Sequence, residues 1–126
     1  TANVIGVDIV KSSIDNAKKN AIDNKLKNIK FFAEDAGKFI LNNPEYINKI
    51  GTIILDPPRA GISPKSLRKV IRLNAKVIIY VSCNPATQAR DLVTLNEMGY
   101  ELKKFSLVDQ FPHTGHIESI AKFKKA

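Results

Sequence analysis

Lys76-Val77-Ile78-Ile79-Tyr80-Val81-Ser82-Cys83-Asn84-Pro85 is the stretch that decides how this chain folds. The run from Lys76 to Ser82 is nearly all apolar and β-favouring, and reads as a buried strand. Asn84 is a good N-cap and Pro85 suits the first position of a helix, so the strand hands over directly to a helix. Cys83, the only cysteine in the chain, stands at that junction. A thiol there faces the positive end of a helix, the kind of setting a nucleophile needs. As a residue type, a lone cysteine is more often a small core residue, so the rest of the chain has to decide between the two.

The same strand-to-helix grammar repeats upstream. Asn3 to Ile9 reads as a buried strand, after which Ser12 and Ser13 offer helix caps and Ile14, Ala17 and Ala21 recur at helical spacing. Asn28 to Glu34 is a second strand, followed by a helix from about Gly37 to Leu41 that Pro44 limits. Gly51 to Asp56 is a third strand, stopped by Pro57-Pro58. Ser63-Pro64 caps a helix carrying Leu67, Val70 and Ile71. Downstream of Cys83, the helix from Pro85 carries Ala86, Ala89, Leu92 and Val93, and Gly99 marks its end. Tyr100 to Val108 and Ile117 to Phe123 are two more strands with no helix between them. They are expected to form an antiparallel hairpin through Phe111-Pro112-His113-Thr114-Gly115-His116. Four β-α units and a closing hairpin predict a single α/β domain over residues 1–126, with a doubly wound, mostly parallel sheet.

Composition sets the outer limits. The chain has 126 residues, 44% of them hydrophobic and 25% charged, which is ordinary for a globular domain with a core of its own. No apolar run approaches the ~20 residues that a membrane helix needs. The single cysteine excludes an intrachain disulfide and any all-cysteine metal or iron–sulfur site, and fits a reducing cytoplasm. The formal net charge of +8 points to a polyanionic partner such as RNA or DNA, or to a lysine-rich solvated surface.

In sheets of this kind ligands bind at the carboxyl ends of the strands. Asp8, Asp35, Asp56 and Cys83 all fall there. An acidic residue at the position of Asp8 commonly grips a pair of ribose hydroxyls; a plain turn aspartate is the alternative. Asp35 suits an adenine amino group or a helix cap. Pro57 and Pro58 make a rigid exit that projects Asp56 into the cleft, or simply a stiff turn. Arg59 suits a phosphate or a carboxylate, or the surface. His113, His116 and Glu118 share the hairpin turn, but their spacing matches no metal signature. Glu118 alone reads more readily as a solvated residue than as a base.

Three blocks together carry a resemblance. Leu55-Asp56-Pro57-Pro58-Arg59-Ala60-Gly61, Tyr80-Val81-Ser82-Cys83-Asn84-Pro85 and Phe111-Pro112-His113-Thr114-Gly115-His116-Ile117-Glu118 resemble the signature blocks of the RNA uracil-C5 methyltransferases. These S-adenosylmethionine-dependent enzymes make 5-methyluridine in ribosomal or transfer RNA. Val4-Ile5-Gly6-Val7-Asp8-Ile9 is similar to the family's cofactor-binding second strand, so the resemblance extends over essentially the whole chain. It implies a Rossmann-like methyltransferase sheet with S-adenosylmethionine as cofactor and RNA as partner. By position it implies Cys83 as nucleophile and Glu118 as general base. It implies Asp8, Asp35 and Asp56 as cofactor or active-site contacts, with Asp8 standing where the family often has glutamate. His113, Thr114 and His116 are then expected to orient Glu118 or to contact RNA, with Arg59 also facing the substrate.

The block after the third strand lacks the cysteine of RNA cytosine-C5 methyltransferases. It also has Arg59 where adenine-N6 enzymes place an aromatic residue, and both differences favour uracil. Nothing in the chain matches the family's first strand and glycine-rich loop, its RNA-binding portion or its cluster cysteines. The chain is therefore expected to be a C-terminal piece of a longer enzyme, inactive and weak in cofactor binding by itself. Two strand edges would be left open to pairing with another copy. The rival readings are a methyltransferase for another nucleobase and a non-catalytic nucleic-acid-binding or interaction module on a methyltransferase scaffold.

Overall fold

The computed structural model describes residues 3–111 and 116–126, with side-chain surroundings for 3–108 and 117–126. The chain divides into two compact units, Thr1–Pro44 and Glu45–Ala126.

The first unit contains β1 (Val4–Asp8), α1 (Lys11–Asp23), β2 (Ile29–Ala33) and α2 (Ala36–Asn42). The two strands pair in parallel from Val4↔Ile29 to Asp8↔Ala33, as a β-α-β connection requires. Gly6 is needed in β1 because the Phe31 ring stands 2.7 Å from where its Cβ would be. Helix α1 buries Ile14 and Ala21, two of the expected apolar positions. Its start differs from the expectation: it begins at Lys11, with Ser12 and Ser13 already in the first turn and no side-chain cap. Instead, the Val10 N–H donates to Asp8 Oδ1 at 2.8 Å, so the strand's last carboxylate shapes the entry before the serines are reached. Helix α2 is capped by Asp35, which accepts from the Lys38 N–H at 3.0 Å, and Pro44 opens a 3-10 turn beyond it.

The second unit contains β3 (Thr52–Leu55), α3 (Pro64–Ile71), β4 (Val77–Ser82), α4 (Pro85–Glu97), β5 (Tyr100–Phe111) and β6 (His116–Lys125). Its sheet has the order β3-β4-β6-β5. β3 and β4 are parallel, while β6 is antiparallel to both β4 and β5. The last strand of the chain thus slots between β4 and β5 and is the one reversed strand of that sheet. The hairpin strands run longer than the apolar pattern indicates, because alternating lysines continue the pairing to Lys125↔Tyr100. The expected caps Ser63 and Asn84 are in place, each followed by proline. The strand–helix alternation follows the expectation, with the strands distributed over two sheets. Among the described residues β1 pairs only with β2, and β3 only with β4, so each keeps one edge without a strand beside it.

The core of the second unit comprises Leu67, Ile78, Tyr80, Leu95, Tyr100, Ala121 and Phe123. Of the expected apolar positions of helix α4, only Leu92 packs against this core. The buried positions are Gln88, Asp91 and Leu95, whereas Ala86, Ala89 and Val93 are exposed. Two polar side chains on a core-facing stripe must be hydrogen-bonded there, and both are.

Tyr80 and Tyr100 are buried phenols whose O–H groups donate to Asp91 Oδ2 at 2.5 Å and to the Ala75 carbonyl at 2.6 Å. Burial pushes both phenols above their ordinary value of 10.0, and at Tyr80 the Asp91 carboxylate pushes it further. In the unfolded chain these phenols lose their protons near pH 10, whereas in the folded chain they hold them to higher pH. Above that pH the unfolded state binds fewer protons, so folding stability falls as pH rises, while below it the contribution is fully present. The unfolding temperature is expected to drop steeply above pH 10. The slope should be shallower in Tyr100→Phe, measured by circular dichroism against the unsubstituted chain.

Candidate active site

At the end of β4 the chain turns sharply. Ser82 is buried, and its Oγ both donates to the Asn84 carbonyl and accepts from the Asn84 N–H, each at 2.9 Å. This knot makes a bend between strand and helix with Cys83 at its apex. Cys83 is exposed, so the reading of a small core residue does not hold. Asn84 Oδ1 then accepts from the Ala86 N–H at 3.1 Å and starts α4.

The first turns of α4 also hold the Asp56-Pro57-Pro58-Arg59-Ala60-Gly61 loop. Asn84 Nδ2 and Thr87 Oγ1 donate to the Arg59 carbonyl at 3.2 and 3.1 Å. Arg90 Nη2 donates to the carbonyls of Ala60 and Ile62 at 3.0 and 3.3 Å. Asp91, only 2% exposed, accepts from the Ile62 N–H at 3.0 Å, from the Tyr80 hydroxyl and from the Arg90 guanidinium. A buried carboxylate with three donors is satisfied without leaving its charge uncompensated. The loop is therefore fixed to the helix that follows Cys83.

Gly61 makes this clamp possible. Its φ is +79°, and a Cβ there would stand 2.7 Å from Arg90 Nη2 and 2.8 Å from Asp91 Oδ2. Gly61→Ala is expected to lower stability by about 1–3 kcal/mol through backbone strain and the displaced clamp. Chemical denaturation checks this: a lowered midpoint at unchanged slope is the expected result.

β3 ends at Leu55, opposite Tyr80, so Asp56 leaves its strand at the same end as Cys83 and is exposed. Arg59 is exposed as well. On the other side of β4, Ser82 pairs with Ser119 of β6. Cys83 is the next residue along β4, and Glu118 is the next along β6 toward that same end. Glu118 is half-buried. Side chains alternate along a strand, so the burial of Ser119 against α4 directs Glu118 to the opposite face of the sheet. The second unit thus brings Asp56, Arg59, Cys83 and Glu118 to one end of three adjacent strands.

The first unit brings together Asp8 and Asp35 at the carboxyl ends of β1 and β2, where the Glu34 N–H also donates to the Asp8 carbonyl at 2.9 Å. Each carboxylate uses one oxygen on the local backbone, Oδ1 of Asp8 in a turn and Oδ2 of Asp35 in a cap. The turn and cap roles open at the sequence level are therefore realised. Asp8 is exposed and Asp35 half-buried. Two adjacent carboxylates suit the hydroxyl and amino donors of a nucleoside. His113 and Thr114 lie outside the described residues, as does the side chain of His116, which pairs through its backbone with Phe111.

Sequence reasoning missed Thr87, Gln88, Arg90, Asp91 and Ser119. The available signal was polarity at Gln88 and Asp91, three apart on a helix that needs a buried face.

Comparison with known proteins adds independent findings. The model of the family described as tRNA (uracil-5-)-methyltransferase matches residues 1–126. An uncharacterized RNA methyltransferase of Clostridium acetobutylicum is 43% identical over 122 residues, covering 97% of this chain and 26% of the relative. The 23S rRNA (uracil(1939)-C(5))-methyltransferase of Salmonella typhi is 41% identical over 124 residues, covering 98% and 28%. The crystal structure of Pyrococcus abyssi tRNA (uracil-54, C5)-methyltransferase in complex with S-adenosyl-L-homocysteine superposes with a TM-score of 0.77 at 33% identity, covering 96% of this chain and 28% of that one. The chain therefore spans little more than a quarter of the length of these relatives.

Proposed function

Since the chain belongs to the tRNA (uracil-5-)-methyltransferase family, we propose that the protein containing it methylates C5 of a uridine in ribosomal or transfer RNA, with Cys83 as nucleophile and Glu118 as base. The observation that supports this best is the β4–β6 register, in which Ser82 pairs with Ser119 and the thiol and carboxylate follow at the same strand ends.

The chemistry follows from the substrate. C5 of uracil is a weak nucleophile. The Cys83 thiolate forms a bond to C6, and the displaced electron pair makes C5 enolate-like. S-adenosylmethionine, when bound, would supply an electrophilic methyl group to C5, the sulfonium S–CH3 bond breaking to leave a neutral thioether. Asp8 and Asp35 are the residues that would hold its nucleoside part, through ribose hydroxyls and the adenine amino group. C5 then carries both the methyl group and its original proton. Glu118 takes that proton, the electron pair re-forms the C5–C6 double bond, and the C6–Sγ bond breaks to release Cys83. The rigid loop from Asp56 to Gly61, clamped to α4, holds Asp56 and the Arg59 backbone beside the reacting end.

RNA is the polyanion that fits the net charge of +8. Lys104 and Lys122 are direct cross-strand partners on the face of the hairpin shared with Glu118. Like charges so placed repel one another unless an anion lies between them, and phosphate is the proposed anion. No helix among the described residues is long and apolar enough to cross a membrane.

Nucleoside analysis of RNA treated with the full-length protein and S-adenosylmethionine tests the reading. 5-Methyluridine is expected; 5-methylcytidine or N6-methyladenosine would refute it.

A further inference from the structure

We propose that Gln88 is a positioning residue that sets Glu118 for proton removal from the Cys83-bound uracil, a role that rests on the reading of this site given above. Gln88 lies in the second turn of the helix that Cys83 precedes, and it is 3% exposed. Its amide bridges three elements. Nε2 donates to the Tyr80 carbonyl of β4 at 3.0 Å and stands 3.5 Å from the Ser119 carbonyl of β6. Oε1 accepts from the Ser119 hydroxyl at 2.6 Å. Ser119 is fully buried and is the residue after Glu118.

The two chemical groups are thus fixed by two different locks. The Ser82–Asn84 knot sets the backbone at Cys83. The Gln88–Ser119 pair sets the backbone at Glu118, because the inward Ser119 side chain fixes which way its neighbour faces. One lock lies at the N-cap of α4 and the other in its second turn, so one helix holds base and nucleophile in a common frame. The polarity at Gln88 is matched to its partners: a carbonyl needs the amide N–H, and a hydroxyl takes the amide oxygen. A leucine fills similar space and offers neither.

The two locks act on different steps, and this separates a positioning role from a structural one. Release of Glu118 slows proton removal, while Cys83 addition and methyl transfer continue. A displacement of about 1 Å in a reacting group costs as much as a hundredfold in rate. Gln88→Leu leaves two buried polar groups without a partner and destabilises the fold. The double variant Gln88→Leu with Ser119→Ala removes the orphaned Ser119 hydroxyl as well and recovers part of that stability.

The test uses the full-length enzyme and two RNAs. With 5-fluorouridine RNA, covalent adduct formation reports every step before loss of the C5 substituent. With RNA tritiated at uridine C5, tritium release reports proton removal. In the double variant, adduct formation is expected within about threefold of the unsubstituted enzyme, with tritium release at least tenfold slower. Equal loss in both assays, or recovery of both with stability, would make Gln88 merely structural and overturn the proposal. An unsubstituted enzyme that methylates RNA but forms no adduct would overturn the underlying reading, and this role with it. An adduct with unchanged tritium release would overturn the positioning role alone.

Discussion

Cys83→Ala in the full-length enzyme is expected to remove RNA methylation, by about ten-thousandfold or more, while leaving the fold intact. The two halves of this expectation rest on different observations. Cys83 is exposed at a bend that Ser82 and Asn84 hold with their own hydrogen bonds, so its sulfur contributes little packing. Exposed substitutions of this kind shift stability by about 0.5 kcal/mol or less. The chemical loss is large because uracil C5 is not nucleophilic until C6 carries an electron-donating substituent. Methyl incorporation into RNA and a thermal unfolding curve, taken on the same preparation, check both halves. A large drop in unfolding temperature would mean that Cys83 is structural.

Glu118→Gln is expected to give the second largest effect, and a different one. The substitution keeps the shape of a half-buried side chain and removes its capacity to accept a proton. General-base catalysis contributes roughly a hundredfold to ten-thousandfold, and turnover should fall by that amount. Addition of Cys83 to C6 does not need Glu118, so the covalent RNA–protein species should build up on ordinary RNA. Denaturing gels resolve it as a slowly migrating band. Loss of turnover without that band would place Glu118 before the addition step and contradict its role as base.

Local chemistry made much of the fold legible in the sequence. Ser63-Pro64 and Asn84-Pro85 announce helix starts because proline loses nothing at that position and the preceding side chain supplies an acceptor. The strand-end positions of Asp8, Asp56 and Cys83 follow from the same boundaries. Tertiary choices were less legible. In α4 Ala86, Ala89, Leu92 and Val93 suggested the core face, yet only Leu92 packs against the core and the buried stripe is Gln88, Asp91 and Leu95. Apolar periodicity is blind to polar residues that find partners on other elements, here Ser119, Tyr80, Arg90 and Ile62. The entry to α1 was misjudged for a related reason. Ser12 and Ser13 are good caps by type, but Asp8 turns the chain earlier through the Val10 N–H. The order β3-β4-β6-β5 depends on which strand the last one joins, and hydrophobic pattern alone does not say.

At Asp8 and Asp35 the local turn and cap roles leave room for the proposed role in holding a nucleoside. Each carboxylate has two oxygens, and a local hydrogen bond to one of them orients the other. Asp91 reads differently, since its oxygens are engaged by Ile62, Tyr80 and Arg90. It serves the loop that carries Asp56, and it is not itself placed to meet a ligand.

The proposed reaction requires Cys83 to bond to the RNA base during methyl transfer. Full-length enzyme, S-adenosylmethionine and RNA containing 5-fluorouridine, followed by digestion and mass spectrometry of the peptides, test it directly. Fluorine at C5 cannot leave as a proton does, so the intermediate is trapped. The expected result is a methylated fluorouridine on the peptide that contains Cys83. An enzyme that methylates ordinary uridine but yields no adduct, or carries the adduct on another residue, would contradict the claim.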